Sequence, residues 1–176
     1  ILDIELEATG DAFWLVNGSA ITLNRVAMTG PLHLPTSEGD QLTGIYIIGG
    51  TLTPPTDINI IDCTISKFNY GALQFSTEYS RNLVFDSVSF SELYQAFSLC
   101  ENDGMVNTMT ISNCVFDLIY SRAINANYVT NITSAFNSYR DVANSNLGNG
   151  NAIDNVIYYG SNSIGCASLN DQFDRT

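Results

Sequence analysis

Leu83-Val84-Phe85-Asp86-Ser87-Val88-Ser89-Phe90 decides the fold of this chain, because its spacing returns at Met109-Thr110-Ile111-Ser112-Asn113-Cys114-Val115-Phe116. Both stretches place apolar residues at offsets 0, +2, +5 and +7. The same block stands at Ile21, Leu23, Val26, Met28 and at Ile58, Ile60, Cys63, Ile65. It degenerates at Ile132, Ser134, Asn137, Tyr139, and a sixth copy is read at Ile164, Cys166, Leu169. Offsets 0 and +2 are the alternation of a strand with one buried face. The step from +2 to +5 breaks that alternation and fits a corner of two residues, after which the chain again points inward. The corner pairs are Asn24-Arg25, Ile61-Asp62, Asp86-Ser87 and Ser112-Asn113. Asn and Asp tolerate the left-handed backbone that a tight corner needs.

A second pattern precedes each block: small, large apolar, polar, apolar. It reads Ala12-Phe13-Trp14-Leu15, Gly44-Ile45-Tyr46-Ile47, Ala72-Leu73-Gln74-Phe75, Ala96-Phe97-Ser98-Leu99 and Ala123-Ile124-Asn125-Ala126, with a weaker copy at Ala152-Ile153-Asp154-Asn155. Repeats of this size are stacked units, each too small to bury its own apolar face. Each unit supplies three short strands separated by bends, which is one coil of a parallel β-helix. Apolar residues do not recur at helical spacing. A sandwich or barrel would want hairpin turns between strands, whereas Asn17-Gly18, Asp103-Gly104 and Asn149-Gly150 fall in the gaps between blocks. The expectation is an all-β chain, a single-stranded right-handed parallel β-helix of about six coils over residues 12–170. Residues 1–11 read as a preceding strand or an N-terminal cap, and residues 171–176 as a tail.

Over about residues 12–170 the repeats resemble the right-handed parallel β-helix of pectin-lyase-like proteins and bacteriophage tailspikes. The resemblance is architectural: no catalytic motif of pectate lyases, polygalacturonases or tailspikes is legible, so it carries over no site residue. It implies a rod and, through the tailspike and tail-fibre members, a homotrimer at an extracellular or virion surface.

The formal charge of −12, with only six Lys and Arg, disfavours nucleic acid, which requires clustered basic residues, and an anionic membrane surface. No apolar run approaches the roughly 20 residues needed to span a bilayer, so no membrane insertion is expected. Charged residues are 14% of the chain against 19 Asn, so the surface is largely neutral and polar, which suits carbohydrate. The chain opens at Ile1 without an initiating Met or a leader-like run, which suggests a processed chain, a proteolytic core or one piece of a longer protein. Of the four Cys, Cys63 and Cys114 share one inward slot two coils apart with Val88 between them. Their separation of about 10 Å is too great for a disulfide. No zinc-ligand spacing is present, and no metal or cofactor is expected.

Two insertions lengthen the coils, residues 29–43 and 141–151, and loops on a repeat scaffold often carry binding. The first holds His33, Glu38 and Asp40 as candidate binding residues. A lone His33 between two Leu makes no Ser-His-Asp arrangement by itself. Trp14 and Tyr46 hold equivalent polar slots on adjacent coils and are expected to stack on the outer face, as a sugar platform or a subunit contact. Tyr94, Tyr120 and Tyr158-Tyr159 are further outer aromatics. Glu78, Glu101 and Asp103 lie in corresponding gaps of neighbouring coils, where strand spacing gives separations of about 4.8 to 9.6 Å, the range a glycoside hydrolase needs. Glu92 and Asp117 form a weaker pair because their offsets differ by one.

The function expected ahead of others is a structural, glycan-binding module of a phage tail fibre or tailspike that engages cell-surface polysaccharide. A polysaccharide-degrading hydrolase or lyase using Glu78, Glu101 and Asp103 is the alternative, and a bacterial surface adhesin a third. Fold alone does not decide among them.

Overall fold

The computed structural model describes residues 4–31, 42–49, 54–76, 79–99, 105–142, 156–160 and 162–174. Among them there is no helix, and all strands pair in parallel within three sheets. Sheet A stacks β1 (Ile4–Glu7), β4 (Val26–Thr29), β7 (Thr64–Ser66), β10 (Ser89–Leu93), β13 (Val115–Ile119), β16 (Ser138–Val142) and β19 (Gln172–Asp174). Sheet B stacks β2 (Phe13–Val16), β5 (Thr43–Gly49), β8 (Tyr70–Ser76), β11 (Gln95–Leu99), β14 (Ile124–Ala126) and β17 (Ile157–Tyr159). Sheet C stacks β3 (Ser19–Asn24), β6 (Thr56–Ile61), β9 (Tyr79–Asp86), β12 (Met105–Ser112), β15 (Val129–Ala135) and β18 (Ala167–Leu169). After β1 the chain visits sheets B, C and A in turn, six times over. This is the parallel β-helix that the spacing predicts. Its strands extend past residue 170, since β19 pairs with β16 through Tyr139↔Phe173. At the other end β1 pairs with β4.

The corners explain why a chain rich in β-branched residues bends so often. Residues with left-handed backbone recur at fixed places in the coil. One series is Arg25, Asp62, Ser87, Asn113, Phe136 and Asn170, the second residue of each sheet C to sheet A corner. A second is Ala20, Asp57, Asn82, Thr108 and Asn131, completed by Gly165. A third is Lys67, Glu92, Leu118 and Asp141. Polar corner side chains then bond along the stack: Asn82 Nδ2 donates to Asp57 Oδ1 at 2.9 Å, and Asn113 Nδ2 to Asp86 Oδ1 at 2.9 Å.

Inside, equivalent residues form rows. Cys63, Val88 and Cys114 are all 1% exposed and lie in consecutive coils, one residue before the paired positions Thr64, Ser89 and Val115. Cys63, Cys114 and Cys166 are free thiols. On the inner face of sheet A, Phe90, Phe116, Tyr139 and, half-exposed in the last coil, Phe173 stack with nearly parallel rings, at centroid spacings of 5.2, 4.6 and 4.8 Å. Each such contact adds about 0.5–1.5 kcal/mol beyond its buried area.

The register corrects three sequence readings. Ile45 pairs with Ala72, not with Leu73, so the small slot of the third coil is Gly71 and the pattern read at Ala72 is one residue late. A Cβ on Gly71 would meet Ala96 O and Phe90 Cδ1, both at 2.8 Å, so in this coil the slot takes Gly. In the sixth coil Ile124 pairs with Ile157, so the first strand there is β17 and the copy read at Ala152 is not that strand. The second block of the same coil is Cys166, Ser168, Asp171, Phe173, as the pairings Ser134↔Ser168 and Tyr139↔Phe173 require. Ile164 and Leu169, read as inward, are 70% and 51% exposed. The interior has turned polar here. Asp171 Oδ2 accepts from Ser134 Oγ at 2.7 Å and Ser168 Oγ at 2.6 Å, and its Oδ1 from Asn137 N at 2.9 Å. Asn137 in turn accepts from Cys114 N at 2.8 Å. β16 runs through Val142, so the second insertion starts later than residue 141.

Candidate functional site on the outer face of sheet B

Strand alternation alone places Trp14 outward: Leu15 beside it is buried, and Trp14 is 60% exposed. Trp14 pairs with Tyr46 in register, and their rings lie 5.2 Å apart at 45°. The exposed Trp14 ring beside the half-buried Tyr46 needs something to fix its rotamer, and Asp11 supplies it. Its Oδ2 accepts from Trp14 Nε1 at 2.8 Å, and its Oδ1 accepts from the backbone N–H of Thr43, at the start of β5, at 2.7 Å. One carboxylate therefore links the two coils that present the rings. Burial, and then the Asp11 charge, push the Tyr46 hydroxyl above its ordinary range, so it stays protonated as a donor. Asp11 escaped the sequence reading; its position three residues before the only Trp is the signal that was there to be used.

Past the backbone of Leu73, which pairs with Tyr46 and Ser98, the outer row continues in register through Ser98, Asn125 and Tyr158. Ser98 is fully enclosed, which divides the face. Beyond it lies a second constellation around Tyr158, which the sequence reading placed outward, and Arg122 and Gln95, which it did not single out. Arg122 donates from Nη1 to Asn125 Oδ1 at 3.1 Å, and its guanidinium carbon lies 4.6 Å over the Tyr158 ring. Gln95 bridges Asn125 and Ser121 through bonds of 3.4 Å. Tyr94 and Tyr120 stack nearby in sequence, with centroids 5.9 Å apart. Tyr159, read as an outer aromatic with Tyr158, instead turns inward, and its hydroxyl is sealed from solvent; alternation along β17 makes only one of two adjacent tyrosines external.

His33, Glu38 and Asp40 lie outside the described residues, as do Glu78, Glu101 and Asp103. Asp117 pairs in register with Ser91, so Glu92 sits one position further along, at a left-handed corner. Asp117 is instead held by both Arg140 Nε, at 2.9 Å, and Arg140 Nη2. Among the described residues, hollows also open elsewhere on the surface, of about 250 Å³ around Glu5, Arg25 and Asp62 and about 430 Å³ around Glu7, Thr29 and Lys67. Among the described residues no cluster of three or more His, Cys, Asp or Glu is placed to hold a metal ion, and no helix is long and apolar enough to cross a membrane. No family model, curated protein or solved structure matches this chain.

Proposed function

We propose that this chain is a glycan-binding β-helix module, a structural rod that serves in attachment as phage tail fibres and tailspikes do. The observation that carries the reading is the Trp14–Tyr46 pair, an exposed aromatic platform oriented by Asp11 on a surface otherwise rich in neutral polar groups. The apolar face of a pyranose ring stacks on such a platform, while the Asp11 carboxylate and the Tyr46 hydroxyl offer an acceptor and a donor to sugar hydroxyls.

Trp14 is the only Trp, so its fluorescence reads the site directly. Titration with bacterial surface oligosaccharides is expected to shift that emission, and Trp14→Ala to weaken binding at least tenfold by calorimetry, which is about 1.4 kcal/mol. The melting temperature should stay nearly unchanged, because the side chain is largely exposed. Wild-type affinity retained in Trp14→Ala would sink the platform.

The attachment role further implies a homotrimer in solution. Light scattering on the native chain is expected to give three times the chain mass of 19.2 kDa, and a monomer across the accessible concentration range would remove the trimer from the proposal.

A further inference from the structure

Arg122 is the one described cation of the sheet B face whose surroundings ask for an anion. In a chain with eighteen Asp and Glu, no carboxylate among the described residues pairs with it, whereas Arg140 pairs with Asp117. Arg122 is partly buried, and its Nε is sealed with no hydrogen-bond partner. Taking a guanidinium out of water without a counter-charge is costly, so buried charges are normally paired. What this fold provides is positioning: the Tyr158 ring beneath the guanidinium, Asn125 holding Nη1, and Gln95 and Ser121, 4% and 1% exposed, bracing Asn125 from behind. A neutral bed of amides and a hydroxyl around one oriented cation suits a single carboxylate with sugar hydroxyls beside it, not a polyphosphate, which needs several cations.

We infer that Arg122, Asn125 and Tyr158 form a subsite for the carboxylate of an acidic sugar, at the far end of the outer row that begins at Trp14. The inference rests on the glycan-binding reading and narrows it to acidic glycans. Arg122 supplies the charge-assisted hydrogen bonds, Asn125 fixes the guanidinium and contacts a neighbouring hydroxyl, and Tyr158 supports the stack.

The test uses an array of neutral, amino and carboxylated oligosaccharides. Calorimetry then compares the best carboxylated binder with the same compound after carboxyl reduction. Wild type is expected to prefer the carboxylated form by about tenfold or more, the usual worth of a hydrogen bond to a charged group, and to show a weaker preference as sodium chloride is raised. Arg122→Gln is expected to abolish the preference, weakening the carboxylated compound far more than the reduced one, and Arg122→Lys to restore part of it. An unchanged melting curve for each variant separates loss of the site from loss of the fold, and the salt dependence of wild type needs no variant at all. Binding confined to neutral glycans, or a carboxylate preference that survives in Arg122→Gln or ignores salt, overturns the subsite and leaves the platform at Trp14 standing. No binding to any member of the array overturns both.

Discussion

A single side chain shows the cost of a corner. Phe136 occupies the second corner residue of its coil with φ of 58° and is 63% exposed. A left-handed backbone costs an L-residue about 1–2 kcal/mol, and Asn far less than a bulky side chain. The equivalent positions on either side are Asn113 and Asn170, and Asn113 also bonds along the stack to Asp86. Phe136 buries little that would repay its strain. Phe136→Asn is therefore expected to stabilise the protein by about 1 kcal/mol, a rise in melting temperature of about 2–4 °C for a domain of this size. A lowered melting temperature would mean that the exposed ring makes a contact worth more than the strain it carries. Gly71 illustrates the opposite case: its constraint is space, because backbone and ring atoms crowd the place of its missing Cβ.

At the scale of elements, how much was legible depended on whether the interior was apolar. Blocks such as Leu83, Phe85, Val88, Phe90 announce strand, corner and strand because every inward slot is apolar and each of these residues is at most 1% exposed. The sixth coil hides the same geometry. There the inward slots hold Ser168 and Asp171, so hydrophobic periodicity settled on Ile164 and Leu169, which face solvent. The left-handed series, completed by Gly165 immediately before Cys166, was the better marker. The third coil slipped by one for another reason: Gly71-Ala72 offers two small residues, and only the close approach of the neighbouring coil chooses between them. The candidate site divided along similar lines. Trp14 and Tyr46 were readable because strand alternation puts equal slots on equal faces. Asp11, Arg122 and Gln95 were not, since their roles depend on contacts across coils that no local pattern encodes.

At the scale of the whole molecule, the apolar interior also encloses groups that ionise, thiols and phenols among them. Burial pushes the Cys114 thiol from an ordinary 9.0 up to about 12. Burial likewise raises Cys63, Cys166, Tyr139 and Tyr159 above their ordinary values. In each case the neutral form is the one the fold keeps. Above the pH where a free thiol ionises, the unfolded chain binds fewer protons than the folded one, so stability falls as pH rises. For Cys114 the contribution is complete below about pH 9 and is lost progressively toward about pH 12, at up to about 1.4 kcal/mol per pH unit. Thermal melts should therefore decline steeply between about pH 8.5 and 10.5. Cys114→Val is the informative variant, because Val88 already fills the same slot one coil away and is 1% exposed. It should fold at neutral pH and lose about 1–2 kcal/mol less than wild type on going to about pH 10.5. Equal alkaline losses in the two proteins would show that the thiol ionises no later in the rod than in the open chain, and that solvent reaches the row of Cys63, Val88 and Cys114.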